Sequence, residues 1–482
     1  MTEKLIAVDP LRPSEHKPKP LPRVRRRLAE RGLDRRHPPE PVPFRKGRRV
    51  KQSPATGTGP AGSGEEHRIE FSEYTPLGRP TNGGFVPPDP SGADSSAAVV
   101  LYTGNSYLLA STDGGATFTE HDTTKFLPAA VGRPVDQVMI YVPHRRLFAW
   151  MMQHEQSPGG GDGNFRLAVA GAEDLAGDVE GSWTVYDFTS SELGAPKTAT
   201  DRQDLAFSES RLYMTTNLSG KGRVVMSLDL NDLAERRTVH WSRTDPLEEE
   251  FQFSDLSQQN SKDVVHSVAI GSTSTLRVMT FDDGAGTYGY RDVTVGQFPE
   301  ATDLASLDPD GVDWLTAGVA NVSASVVQGS SLWTAWDAAA SAAGDKPFYP
   351  HPHVRLARID TGTWKVAEEH QVWNPDYAFA YGCLAIGPDG DVGYGVGVGG
   401  PHDYPNACFG ILGDFVVYFR DSSTATPSGK NGAGDTEFRW GDYITVRPTV
   451  RDRRRFSAFG YFSKKVGTGA SQRPFYLEYG RP

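Results

Sequence analysis

The chain has 482 residues, with 50 Lys and Arg against 60 Asp and Glu, 52 Gly, 35 Pro and two Cys. A mean hydropathy of -0.47 and the lack of any apolar run of about 18 residues exclude a membrane-spanning helix and predict a soluble protein. Two cysteines, Cys383 and Cys408, exclude a disulfide framework and a four-thiolate zinc site.

Charge divides the chain unevenly. Residues 1–67 hold 16 Lys and Arg against 8 Asp and Glu, and the remainder is strongly acidic. This first segment is rich in Pro and Arg, and Phe44 is its one aromatic ring, so it lacks the apolar surface to offset chain entropy. It is predicted to be a disordered basic arm, with one short helix possible over 24–31 and a flexible linker over 53–64. An anionic partner suits such an arm, whereas the acidic body argues against nucleic acid. No apolar core follows the basic residues as in a secretory signal, so the expectation is a cytoplasmic chain or one exported by a specialised machine.

From residue 68 to 482 a single all-β domain is predicted. Short runs of Val, Ile, Tyr, Phe and Trp recur between Gly, Asp, Asn and Pro clusters. A first, short unit spans 97–119, with strands over 98–102, 107–111 and 116–120. The next reads strand by strand: 137–142, a tight turn over 143–146, then 147–153, 165–170 and 183–188. Four antiparallel strands in about 55 residues make one propeller blade. Further units have first strands near 205, 266, 320, 382 and 442, a spacing of about 60 residues that argues for radial repetition. The expected fold is a β-propeller with seven blades, six being the alternative, closed by pairing 68–71 with 475–479.

The stretch 111–118 reads Ser-Thr-Asp-Gly-Gly-Ala-Thr-Phe and resembles the Asp-box of sialidase-like, BNR-repeat propellers. The resemblance implies a hairpin device built from Ser111, Asp113, Gly115, Thr117 and Phe118, remote from any site. Val135-Asp136-Gln137-Val138, Tyr141-Val142-Pro143, Trp373-Asn374-Pro375 and Arg439-Trp440-Gly441-Asp442-Tyr443 resemble a group of bacterial propellers with no assigned reaction. Where the sialidase pattern has Arg-Ile-Pro, this chain has Arg68-Ile69-Glu70.

First strands line the channel of a propeller, and their starts face one mouth. The polar residues expected there are Asp136, Gln137, Arg202, Gln203, Asp204, His266, Asn321, Tyr381, Arg439, Asp442 and Arg447. Asp136, Asp204 and Asp442 offer hard oxygen ligands for Ca²⁺, or a general acid and base for a glycosidic bond with Arg202 or Arg439 holding an anionic group. A wet channel with its carboxylates on backbone N–H groups is the plain structural reading. His351-Pro352-His353 is read as a surface loop, and Pro388-Asp389-Gly390 and Pro309-Asp310-Gly311 as turns. Cys383 and Cys408 are placed on neighbouring strands, either cross-linked or reduced and buried.

The function expected first is recognition of a glycan or protein partner through the channel mouth and rim, with Trp183, Trp333, Trp336, Trp364 and Trp373 as candidate platforms. Two alternatives stand beside it: a glycoside hydrolase acting through the mouth carboxylates, and an exported cargo or effector addressed by its basic arm.

Overall fold

The computed structural model describes residues 69–482 apart from 79, 81–86, 106, 129–131, 133, 155, 157–159, 248–250, 252–253, 300–303, 316–320, 343–347, 415, 431–435, 468 and 482. Before residue 69 it describes only Lys4–Ala7, Ser14–His16 and Arg49–Lys51. The candidate helix over 24–31 and the linker over 53–64 therefore lie outside the described residues.

The described residues form seven antiparallel four-stranded blades. Their innermost strands are Ser91–Asp94 in blade 1, Pro134–Val142 in blade 2, Thr200–Phe207 in blade 3, Asp255–Gln258 in blade 4, Val322–Gln328 in blade 5, Ala378–Ile386 in blade 6 and Thr445–Pro448 in blade 7. Each of these strands touches its counterparts in the two flanking blades, and the last touches the first, so the ring closes around an axis. The chain is a seven-bladed β-propeller.

The apolar runs are continuous because both faces of a blade are buried. Side chains alternate along a strand, so in blade 2 Val138, Ile140 and Val142 pack toward blade 3, while Met139 and Tyr141 pack toward blade 1. An apolar cluster fills each of the seven interfaces between blades.

Closure follows the expected scheme with a longer strand. Glu70–Pro76 becomes the outermost strand of blade 7 and pairs antiparallel with Gly469–Gly480, from Phe475 opposite Pro76 to Gly480 opposite Glu70. Three segments of the basic arm extend other blades at their outer edges. Lys4–Ala7 pairs with Thr287–Thr294 of blade 4, Ser14–His16 with Val239–Arg243 of blade 3, and Arg49–Lys51 with Val416–Tyr418 of blade 6. Blades 4 and 5 are also joined at the axis, where Ser257 pairs parallel with Ser325 and Gln258 with Val326.

The 111–118 hairpin has the hydrogen bonds its residue types suggest. Ser111 Oγ accepts from Gly115 N (2.8 Å), and Asp113 accepts from Thr117 N (2.9 Å) and Thr117 Oγ1 (2.6 Å). Gly115 has φ +97, and a Cβ there would lie 2.4 Å from the Tyr476 ring. Phe118 packs on that same ring at the blade 1–blade 7 interface. Asp113→Ala removes an exposed turn's two acceptors and is expected to cost about 1 kcal/mol in denaturant unfolding, with ligand binding unchanged. A change at the channel would contradict the local role.

Several smaller expectations are corrected. His353 does not lie in a surface loop; it opens the strand His353–Asp360, fully buried and stacked on Tyr349 at 4.2 Å, because the neighbouring aromatics supply a dry slot. Cys383 and Cys408 are free thiols on strands separated by Val392–Gly400, and they pack in different clusters. Trp183, Trp333 and Trp336 are buried between strands, so they offer no rim platform. Both Pro-Asp-Gly segments need no correction and are turns as read, with Gly311 at φ +78 and Gly390 at φ +88.

Candidate functional site: a one-ended central pocket

Innermost strands enter the axis with an irregularity. In blade 2, Gln137 pairs with Met152 but Pro134 with His154, leaving an extra residue at Val135-Asp136. Blade 3 carries the same feature between Asp201 and Asp204, and blade 6 between Ala380 and Cys383. Such bulges re-aim side chains and sharpen the local twist. Two of the inserted residues, Arg202 (φ +49) and Tyr381 (φ +58), sit in the left-handed region, which costs a non-glycine residue energy that the surrounding structure must supply.

The bulges bring polar groups together at the strand starts. Arg202 reaches from blade 3 to Asn321 of blade 5; with its amide oriented to satisfy both neighbours, Asn321 accepts from Arg202 Nη1 (3.1 Å) and donates to Asp337 Oδ2 (3.2 Å). Asp337 Oδ1 accepts from the Tyr381 backbone N (3.1 Å), linking blade 5 to blade 6. In the Trp440-Gly441-Asp442-Tyr443 segment, Trp440 is fully buried between blades 6 and 7, stacked on Tyr381 and Tyr461. That anchor carries Asp442 to the mouth, where its backbone N donates to Asp89 Oδ1 (2.8 Å) and its carboxylate takes Arg439.

The opposite end of the channel is bridged. Arg447 of blade 7 donates to the carbonyls of Gly92 (2.9 Å) and Met139 (2.9 Å) and to Gln258 Oε1 (3.5 Å), tying blades 1, 2 and 4 to its own. Gln259, at φ +60, exchanges two hydrogen bonds with the Ile386 backbone across the axis, at 2.9 and 2.8 Å. Gln328 of blade 5 adds a bond to the Gly387 carbonyl at the end of neighbouring blade 6 (3.1 Å). These residues lie at the strand ends, so the open mouth is the one at the strand starts.

Between mouth and floor lies a pocket of about 760 Å³, counting its opening to solvent. All seven blades contribute to its lining, and its charged groups are Arg202, Asp204, Asp255, Asp442 and Arg447. Burial pushes the carboxyl of Asp255 up to about 8, with Asp204 adding to the rise and Arg223 and Arg202 opposing it. Burial raises Asp136 to about 7, helped by Asp201 and Asp442, and raises Asp337 to about 7. Asp89, buried beside Asp442 and Asp136, is driven well above the carboxylate range. Asp204 is also raised by burial, against the N–H groups of Leu256 and Leu205 that it accepts.

These shifts set a sign for stability. A carboxyl held above its ordinary value of 3.8 keeps a proton in the folded chain that the unfolded chain has lost. Its contribution is fully present below about pH 4 and is lost as the pH rises to about 8. His154, His266 and His353, lowered by burial to about 4, 4 and 3, act oppositely, their contribution being lost as the pH falls through the imidazole range. The Asp136→Asn/Asp255→Asn double variant is therefore expected to unfold with a flatter decline between about pH 6 and 8 than the parent. Parallel curves in denaturant titrations at each pH would sink the assignment.

Asp204, Asp442, Arg202, Gln203, Asn321 and Arg447 line the pocket, but Arg447, expected at the mouth, is corrected: it lies at the floor, because its fork is taken by the Gly92 and Met139 carbonyls. Asp136 stands at its mouth within the field of Asp442, Arg439 and Arg202. Gln137 instead points into the wall, where its Oε1 accepts from Trp150 Nε1 (3.0 Å) and from Thr103. Tyr381 stacks in the blade 6–blade 7 core. His266 is corrected: it lies on the second strand of blade 4, Val264–Ser272, with its ring on Thr280 Oγ1 (3.0 Å) and Trp364. The true innermost strand, Asp255–Gln258, is short, with Leu256 its one apolar residue, and it went unread. With it went Asp255; Asp89, Asp337 and Gln259 were also missed. A four-residue stretch with a single apolar residue, Leu256, carries no strand periodicity, so no local signal marked it.

Asp204 and Asp442 already engage N–H groups and Arg439, and among the described residues no three His, Cys, Asp or Glu side chains meet as a metal cluster would require. Among the described residues no helix is long and apolar enough to cross a membrane.

No protein-family model matches the chain, and no curated protein matches it. Solved structures do. A protein of unknown function from Dyadobacter fermentans DSM 18053 is 11% identical, with 86% of this chain and 99% of that chain covered and a TM-score of 0.41. The Dos1 propeller is 11% identical over 86% and 96%, with a TM-score of 0.39. A polysaccharide lyase, the PL25 ulvan lyase, is 9% identical over 83% and 84%, with a TM-score of 0.31. At these scores the likenesses carry no argument about chemistry.

Proposed function

We propose that the chain is a recognition propeller that takes a polar ligand, a glycan or the polar end of a protein partner, into its central pocket. The observation that carries this reading is the bridged floor. Arg447, Gln259 and Gln328 turn a through-channel into a pocket with one entrance, lined from all seven blades. Rim tryptophans contribute little, since most are packed between strands. A glycan array, followed by thermal unfolding of the full chain with each hit, tests the reading. Ligands that stabilise the parent but not Asp442→Asn place binding at the mouth, whereas ligands indifferent to that change bind elsewhere and overturn it.

A second reading, glycoside hydrolysis, is favoured by one observation: the carboxyls of Asp255 and Asp136 are raised to about 8 and about 7, the range of a general acid at neutral pH. A panel of aryl glycosides assayed across pH tests it, with turnover lost in Asp255→Asn as the supporting result. The resemblance to sialidase-like propellers bears on the fold more than on that family's chemistry, because Arg68-Ile69-Glu70 stands where that family has Arg-Ile-Pro. For the basic arm, an anionic partner or a role in addressing an exported cargo remains a proposal from charge. Unchanged localisation after removal of residues 1–67 would dispose of the cargo role.

A further inference from the structure

The groups facing the pocket are unevenly satisfied. Its arginines have partners on part of each guanidinium: Arg447 on the Gly92 and Met139 carbonyls, Arg202 on Asn321, Arg439 at the mouth on Asp442, and Arg223 beneath on the Arg202 carbonyl (3.0 Å) and Asn217 Oδ1 (3.2 Å), with the Nε of Arg439 and of Arg223 left over. Acceptors are left over. Among the described residues no donor hydrogen-bonds to the carboxyl of Asp255. Gln203, only 6% exposed and part of the lining, spends its amide N on Thr216 Oγ1 (3.5 Å), while its Oε1 has no partner. A buried acceptor without a donor is costly, so a ligand that brings donors to Asp255 and Gln203 satisfies this side of the lining.

We propose that the pocket selects a ligand carrying an organic cation, a primary ammonium or a guanidinium, held by the carboxyl of Asp255 and the amide oxygen of Gln203. This deepens the binding reading above and rests on it. At the mouth Asp201 stands beside Asp136, while Asp442 at the rim is paired with Arg439. The charged groups around Asp255 are Asp204 and Arg202 from the innermost strand of blade 3, Arg223 from that blade's third strand, and Asp442 and Arg447 from blade 7. With Asp255 protonated near neutrality in the empty pocket, a bound cation displaces that proton. A metal ion fits less well, because no three ligating side chains converge among the described residues.

The test uses the full chain and matched probes: agmatine, spermidine, the glucosamine tetramer and the uncharged N-acetylglucosamine tetramer. Calorimetry in two buffers of different ionisation enthalpy is expected to show a cationic probe binding at least about tenfold more tightly than the uncharged tetramer, with net proton release at pH 7. Asp255→Asn is expected to lose that preference while unfolding at the same midpoint or higher, and exposed Asp389→Asn to behave as the parent. If Asp255→Asn does not fold, the proton count on the parent decides alone. Equal binding of the charged and uncharged tetramers, or tight cation binding without proton release, overturns the proposal and leaves the pocket reading standing. If no probe binds, the proposal falls, and the glycan array decides the pocket reading separately.

Discussion

Replacing Arg447 with methionine is expected to lower the stability of the propeller by about 3–5 kcal/mol, read as a fall in the denaturant midpoint. The methionine keeps some of the apolar stem's packing and loses every donor. Two carbonyls, of Gly92 and Met139, are then left in the buried ring wall, and each orphaned buried acceptor costs about 1–3 kcal/mol. Those carbonyls sit on blades 1 and 2, while the third contact, Gln258, sits on blade 4, so the loss loosens the ring at several seams together. Burial lowers the guanidinium only to about 10, so it stays charged at neutral pH and its bonds are charge-assisted. Lysine is not expected to restore the parent, because one compact ammonium cannot reproduce a planar fork spread over separate strands. A loss below about 1 kcal/mol would mean that water takes over the three contacts and that the floor is not a structural plug.

The second large effect is expected at the closing strand. A chain of residues 68–482 retains Glu70–Pro76 and is expected to fold, whereas one of residues 78–482 should be recovered mainly as aggregate. Removing the strand strips the ladder from Gly469–Gly480, a twelve-residue strand, and exposes its edge. Ile69, Phe71 and Leu77 go with it, all buried and each worth about 1.5–3 kcal/mol of apolar burial. Together with the lost pairing, that is comparable to the whole stability of an ordinary domain, about 5–15 kcal/mol. Size-exclusion chromatography of the two chains checks it, and a monomeric, cooperatively unfolding 78–482 chain would show that the ring closes without its last strand.

Blade spacing was legible because apolar runs buried on both faces stand out between turn residues, as in Pro134–Val142. The closing strand was legible from Ile69 and Phe71 near one end and Phe475 to Tyr479 at the other. Blade 4 was misread because its second strand, Val264–Ser272, is the first apolar run there and fell at the expected interval. The pocket was half legible. Polar residues at strand starts marked Arg202, Gln203, Asp204 and Asp442, but Asp89 lies in a proline-rich stretch without strand character, and Asp337 lies on a second strand. Nothing local distinguishes Arg447, which bridges carbonyls, from an arginine open to a ligand. That difference arises only when the strand ends of distant blades meet.

The parallel pairing of Ser257 with Ser325 and of Gln258 with Val326 makes blades 4 and 5 one continuous sheet across the axis. Elsewhere, among the described residues, no ladder joins neighbouring blades, which meet through side chains and isolated backbone bonds such as Gly163 N to the Thr198 carbonyl. A ring with one welded joint cannot widen like an iris. Any breathing of the entrance must be taken up at the other six joints, with Asp255 and Ser323 travelling together as a fixed jaw while Arg202 and Asp442 move against it.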